Sequence, residues 1–287
     1  MFPIPRLGKL MRVAVLGTGN VGANLVLHLG KLPDIKEIQL YSARKASAVA
    51  ALLDAASVSP ENAQKIKIVD IIDADVVVVS AGLQPYAKSS LSELLDFNKV
   101  IASNMLEKVK VSPSTIVIAV ATPVDFVTAI VQQLTKLPVT QVIGFGGDLD
   151  KNRLCYTLQN KRIICDAITI IGEHGRNAIP VYSGEHEYDG VSKEVQSFLA
   201  QTSSVSGVAR NLASGELLAR LVVSIVEDRR IEHCVTSYHS EFQDWFTWPC
   251  IVGRGGVLGL LSPKLGPRSK TAFETLVQAR RAENRSD

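Results

Sequence analysis

The chain has 287 residues, 46% apolar and 21% charged, which suits a soluble globular fold of one large domain or two ordinary ones. Its net charge of +3 comes without a dense Lys/Arg run interleaved with aromatics, which argues against nucleic acid as a partner. No apolar stretch reaches the ~18 residues of a membrane span, and residues 1–10 lack a signal-peptide core and read as a short arm before Met11. The four cysteines (Cys155, Cys165, Cys234, Cys250) are scattered without zinc-site spacing. The expectation is a cytoplasmic protein with reduced, mostly buried thiols, no metal site and no membrane attachment.

Residues 12–16 (Arg-Val-Ala-Val-Leu) form a short apolar run bounded by glycine, as in a strand buried on both faces. Residues 23–32 carry apolar side chains at helical spacing and stop at Pro33. A strand is expected at 36–41 and a helix over the alanine-rich 46–56. Further strands are expected at 66–69, 74–82, 114–121 and 141–146, with helices at 91–109 and 124–137. This alternation implies right-handed βαβ units and a doubly wound parallel sheet, a Rossmann domain over residues 11–146. From residue 147 the rhythm changes. Helices are expected at 149–158, 208–231 and 269–282, with strands at 163–171 and 248–257, so residues 147–287 read as a mixed α+β substrate domain.

The turn Gly17-Thr18-Gly19-Asn20-Val21-Gly22 directly follows the first strand and opens a helix. In this context Gly-x-Gly-x-x-Gly binds a dinucleotide. The first glycine makes the turn, the second admits the pyrophosphate and the third allows close packing. The phosphates rest on the positive end of the helix. An Asp or Glu is expected about 20 residues on, where it would bind the ribose hydroxyls. Instead Ser42 stands at the end of the second strand, with Arg44 and Lys45 just beyond. A carboxylate there repels a 2′-phosphate, whereas a hydroxyl and an arginine can hold one. NADP(H) is therefore expected over NAD(H), the alternative being that Arg44 and Lys45 form a solvated turn.

Several segments together resemble the L-lactate/malate dehydrogenase family, which includes the hydroxyisocaproate dehydrogenases. They are the glycine turn, Ala81-Gly82, Ala121-Thr122-Pro123-Val124-Asp125, the stretch from Gly144 through Asp150 to Arg153, Gly172-Glu173-His174-Gly175, and Val252-Gly253-Arg254-Gly255-Gly256-Val257. The resemblance spans nearly the whole chain and implies a Rossmann domain followed by a catalytic domain, in homodimers or homotetramers. It also implies that His174 gives and takes the proton, that Asp150 orients its ring, and that Arg153 grips a substrate carboxylate. Histidine suits this work because its pKa lies near neutrality. Ala81, Gly82 and Asn98 join the cofactor site by the same resemblance. The other histidines, His28, His186, His233 and His239, have no such motif around them and read as structural or surface residues.

The departures from the family bear on substrate. An ungapped alignment through the loop after the fourth strand puts Pro85 at the specificity position and Leu91 where the family has a carbonyl-polarising arginine. Losing a preorganised cation beside a developing oxyanion costs on the order of 3 kcal/mol, and Lys88 replaces it only if the loop is redrawn. Thr122 stands where the family has asparagine, Arg176 where it has an aspartate two residues after the histidine, and Arg210 near a small pocket residue. Arg176 or Arg210 either takes over carbonyl polarisation, or a second anion, or is simply solvated. The leading reading is an NADP(H)-linked oxidoreductase of a 2-oxo acid/2-hydroxy acid pair, not ordinary lactate or malate. A reductase of an imine or another carbonyl, and a weakly active cofactor-binding sensor, are the alternatives.

Overall fold

Strand β1 (Met11–Leu16) lies at the centre of the first half, where all but one of its residues are buried. A computed structural model of the protein describes residues 10–83, 91–160, 162, 168–175, 177–182 and 211–283. After β1 come α1 (Asn20–Gly30), β2 (Ile35–Tyr41), α2 (Lys45–Val58), the single turn α3 (Pro60–Ala63) and β3 (Ile66–Ile68). The second βαβ set is β4 (Val76–Val79), α4 (Leu91–Leu106), β5 (Ile116–Ala119), α5 (Val124–Thr135) and β6 (Val142–Phe145). These six strands are parallel in the order β3-β2-β1-β4-β5-β6. That is the dinucleotide-binding order, which places ligands beyond the carboxyl ends of β1 and β4, where the winding reverses. The four valines of β4 and all of β5 and β6 are buried, as strands covered on both faces should be.

The second half comprises α6 (Gly147–Asn160), β7 (Ile168–Gly172), β8 (Ala178–Tyr182), α7 (Leu212–Val226), β9 (Ile231–His239), β10 (Asp244–Gly253), β11 (Gly256–Leu260) and α8 (Pro267–Glu283). Its strands continue the same sheet in antiparallel fashion. β6 pairs with β9 at Gly144–Thr236 and Phe145–Val235, and β9 forms a long hairpin with β10. β10 meets β7 at Thr247–Gly172, and β7 pairs with β8. The largest core cluster joins Val13, Leu25 and Ile38 to Leu218, Ile225 and Val235. The α/β class with a parallel Rossmann sheet followed by a mixed region is therefore observed.

The main local difference from expectation falls in the segment 208–231. The helix ends at Val226, and Ile231 already belongs to β9. Buried residues at 218, 219, 221, 222, 225 and 226 keep helical spacing as far as Val226. Beyond it Asp228 and Arg230 take left-handed conformations, with φ of 51° and 53°, and their side chains pair with each other. The charged run that extended the helical pattern is thus a reversing turn. Neither β8 nor β9 is among the expected elements. β9 is buried on both faces from His233 to Ser237 and shows no polar–apolar alternation.

Candidate active site

Tyr41 at the end of β2 accepts the backbone N–H of Gly17 at 2.8 Å, so the glycine turn is fastened to the neighbouring strand. Gly17 has φ +93°, and a Cβ there would lie 2.6 Å from the Ala81 backbone nitrogen. Both features exclude a side chain. Ser80 donates to the Gly17 carbonyl at 2.7 Å, so the loops following β1 and β4 are locked together. A Cβ on Gly19, by contrast, would meet nothing within 4 Å. α1 starts from this residue with no side-chain cap and no acid in its first turn. Open space above an uncapped helix end fits a pyrophosphate.

Ser42 follows Tyr41 directly and is half-buried, while Arg44 and Lys45 are exposed. Arg44 is the cap residue of α2, whose first turn carries no acid and no side-chain cap. Ser47 donates to the Thr18 carbonyl at 2.8 Å and Thr18 donates to the Ser47 hydroxyl at 3.0 Å, so the start of α2 is braced on the glycine turn. Asn98 is almost fully buried on α4. Its carboxamide accepts from Leu83 N and donates to the Thr122 carbonyl, both at 2.8 Å. It therefore clamps the loops after β4 and β5 together, with Gly82 packed so closely that a Cβ would meet Ala121 at 2.4 Å. Thr122 is exposed and begins a cis bond to Pro123.

The second cluster forms where α6 leaves β6. Asp150 lies in the first turn of α6, only 1% exposed. Its Oδ2 binds His174 Nδ1 at 2.7 Å and accepts the Gly175 N–H at 2.9 Å, while Oδ1 accepts Arg153 Nη1 at 3.1 Å. A carboxylate only accepts, so Nδ1 carries the proton. Among the described residues Nε2 has no partner, and the His174 side chain remains 18% exposed. Gly146 makes room for the ring, since a Cβ there would lie 2.4 Å from His174 Cγ. The backbone N–H of His174 donates to Asp125 Oδ2 at 2.9 Å; the other Asp125 oxygen accepts from Thr236 at 2.7 Å and Thr247 at 3.2 Å.

These contacts set the charges. Burial lowers the His174 pKa, but the Asp150 charge and hydrogen bond outweigh it and hold the imidazole above its ordinary value. Burial raises Asp150, and the charge of His174 with the surrounding donors overcomes that and keeps the carboxyl below its ordinary value. Asp125 is pushed up by burial, which its hydrogen bonds only partly offset.

The structure thus gathers Asp150, Arg153 and His174 at one point, and Gly17 to Gly22, Ser42, Arg44 and Lys45 around another. Arg176, Arg210 and the loop at 84–90, with Pro85 and Lys88, lie outside the described residues; Leu91 opens α4. Asp125 went unassigned in the sequence because an acid in the first turn of a helix is ordinary. His233 proves not to be solitary. Its Nδ1 binds Asp148 Oδ2 at 2.5 Å and its Nε2 lies 2.8 Å from Ser224 Oγ. Ser224 is fully buried and donates back to the Arg220 carbonyl, so this Ser–His–Asp row presents no nucleophile. Among the described residues, no group of three or more His, Cys, Asp or Glu could hold a metal ion, and no helix is long and apolar enough to cross a membrane.

Comparison with known proteins agrees with this geometry. Residues 11–144 match the family model for the NAD binding domain of lactate/malate dehydrogenase. A malate dehydrogenase of Flavobacterium frigidimaris is 27% identical, with 96% of this chain and 97% of the relative covered. An L-lactate dehydrogenase of Clostridium perfringens is 32% identical over 61% of this chain and 58% of its own length. The fold is shared with a lactate dehydrogenase from a Medee basin deep-sea metagenome library, at a TM-score of 0.83 and 20% identity over 96% of this chain and 98% of the other. Residues 11–144 thus match the NAD binding domain of lactate/malate dehydrogenase, and the chain as a whole is similar from end to end to malate dehydrogenases.

Proposed function

We propose that the protein interconverts a 2-oxo acid and a 2-hydroxy acid with NADP(H), with a substrate other than ordinary lactate or malate. The observation that carries this reading is the shared Asp150 carboxylate, which binds His174 Nδ1 and Arg153 together and leaves His174 Nε2 without a partner among the described residues. When bound, the nicotinamide donates or accepts the hydride. His174 supplies the proton from Nε2 to the oxygen that becomes the hydroxyl, and takes it back in the reverse direction. Asp150 fixes the tautomer and stabilises the imidazolium, as the carboxylate partner of a catalytic histidine does. Arg153, half-buried and held at one nitrogen by Asp150, binds the substrate carboxylate. Pro85 and Leu91 at positions where the family carries arginines favour an apolar or bulky substrate side chain over a second carboxylate.

The preference for the 2′-phosphorylated cofactor rests on Ser42, Arg44 and Lys45 at the braced start of α2, where no acid stands in the first turn. Kinetics with NADPH and NADH test it. A charged hydrogen bond contributes about 1.5–3 kcal/mol, so Ser42→Asp lowers kcat/KM for NADPH by roughly ten- to a hundredfold and improves use of NADH. A clear preference of the unmodified protein for NADH overturns this part of the reading.

A further inference from the structure

Arg280 lies in the last turn of α8, far along the chain from every residue of the proposed mechanism, yet it is only 4% exposed. Its Nε and Nη2 form a fork on Asp244 at 3.0 and 2.8 Å, and its Nη1 reaches Glu173 Oε1 at 3.2 Å. The guanidinium also stacks 3.7 Å from the centre of the Phe126 ring. Glu173 and Phe126 are the chain neighbours of His174 and Asp125, the two residues joined by the His174 N–H···Asp125 bond. One guanidinium thus touches both sides of the junction that carries the catalytic imidazole. A second contact supports the same docking, because a Cβ on Gly172 would lie 3.2 Å from Leu276 of α8. The other oxygen of Glu173 accepts from Asn177 at 2.6 Å, closing the turn on itself.

We infer that Arg280 is a positioning residue that holds the Glu173–His174 turn against α5 from the back of the site. Its catalytic meaning rests on the reading of His174 given above; its structural action does not. The bidentate bond to Asp244 at the start of β10 fixes the guanidinium, and the remaining N–H group then sets where Glu173 stands. A buried arginine spends its charge here on two carboxylates and an aromatic face rather than on substrate. Among the described residues the charged groups around His174 are Asp150 and Arg153 from α6, Asp125 from α5 and Glu173 of its own turn, with Arg280 and Asp244 behind Glu173. Removing the Arg280 charge leaves Glu173, the chain neighbour of His174, without its cation.

The test uses Arg280→Met, which keeps the stem, Arg280→Lys, which keeps the charge, and the double variant Arg280→Met/Glu173→Gln. The His174 titration is followed by NMR of its ring protons, assigned with His174→Asn, alongside NADPH affinity by fluorescence and the pH profile of kcat. Arg280→Met is expected to raise the His174 midpoint by about one pH unit and to lower kcat on the order of tenfold, with NADPH affinity unchanged. In Arg280→Lys and in the double variant the midpoint returns toward that of the unmodified protein. A folded Arg280→Met with an unmoved midpoint and kcat overturns the inference, and so does a shift that persists in the double variant. If the midpoint moves as expected while the unmodified protein turns over no 2-oxo acid, the positioning role stands and the proposed reaction falls.

Discussion

Helix α6 carries two aspartates, two residues apart, and each holds a histidine. Asp150 binds His174 at 2.7 Å and Asp148 binds His233 at 2.5 Å. The pairs differ at the far nitrogen. His233 Nε2 ends on a buried serine, and its side chain is 7% exposed. His174 Nε2 has no partner among the described residues, and its ring lies on the glycine surface of Gly146 beside a partly exposed arginine. We therefore assign proton chemistry to such a pair only where the second nitrogen is not sealed by a protein group. Sealed at both ends, the same pair is a cross-brace between α6, β9 and α7. Asp148 reinforces that brace by also accepting the Cys234 N–H at 2.7 Å.

The contrast breaks first at His174. His174→Asn is expected to lower kcat by about 10³-fold, within the range for a general acid–base group, while the melting temperature and NADPH affinity stay close to their original values. Asp150→Asn follows, with a loss of about 10²-fold in kcat and a fall in the His174 pKa, because the charge that outweighs burial is gone. Asp148→Asn should act on the other side of the comparison. It replaces one of the two oxygens that serve a buried histidine and a backbone N–H with an amide that cannot accept and removes the charge, so it costs about 3 kcal/mol of stability in denaturant titration with little change in kcat. If Asp148→Asn is as damaging to turnover as Asp150→Asn, the distinction between an open and a sealed pair is wrong.

A third histidine sharpens the same comparison with a smaller effect. His239 is buried against Phe242, Phe246 and Trp248 with no partner for Nε2 among the described residues, and burial pushes its pKa down to about 4. The folded state keeps this imidazole neutral where the unfolded chain, with its ordinary value near 6.5, takes up a proton. Stability is therefore expected to fall as pH drops from about 6.5 toward 4, by about 2 kcal/mol between pH 7 and pH 5. His239→Leu should flatten that slope in denaturant titrations at the two pH values; an unchanged slope would assign the acid sensitivity elsewhere.

Much of the first half was legible in the sequence because its determinants are local. A β-branched run, a glycine turn and an apolar helix face each follow from neighbouring residues, and together they imply the observed parallel order. Gly17 is the clearest case, since its positive φ and its contact with Ala81 both demand glycine. The cluster of Asp150, Arg153 and His174 was legible by resemblance, because the spacing from Asp150 to Arg153 and the Gly-Glu-His-Gly segment are carried intact. Arg280 was not legible. It sits 107 residues from Glu173 and 36 from Asp244, and its sequence context is that of a basic helix terminus. The Asp148–His233 brace spans 85 residues and hid for the same reason. The strand β9 was obscured because burial on both faces erases the period that identifies a strand, while the charged turn before it mimicked the end of a helix.

The proposed role of His174 is that of proton donor in an NADPH-linked 2-oxo acid reduction. The most direct measurement is NADPH oxidation over a panel of 2-oxo acids of varied side chain, repeated across pH for the unmodified protein and His174→Asn. The donor must be protonated and its pKa is raised, so kcat/KM for reduction should be level at low pH and fall only above the ordinary histidine value near 6.5. Turnover with at least one apolar or bulky 2-oxo acid, with that falling limb absent in His174→Asn, is the predicted result. NADPH binding without turnover of any member of the panel, or the same pH limb in His174→Asn, would contradict it.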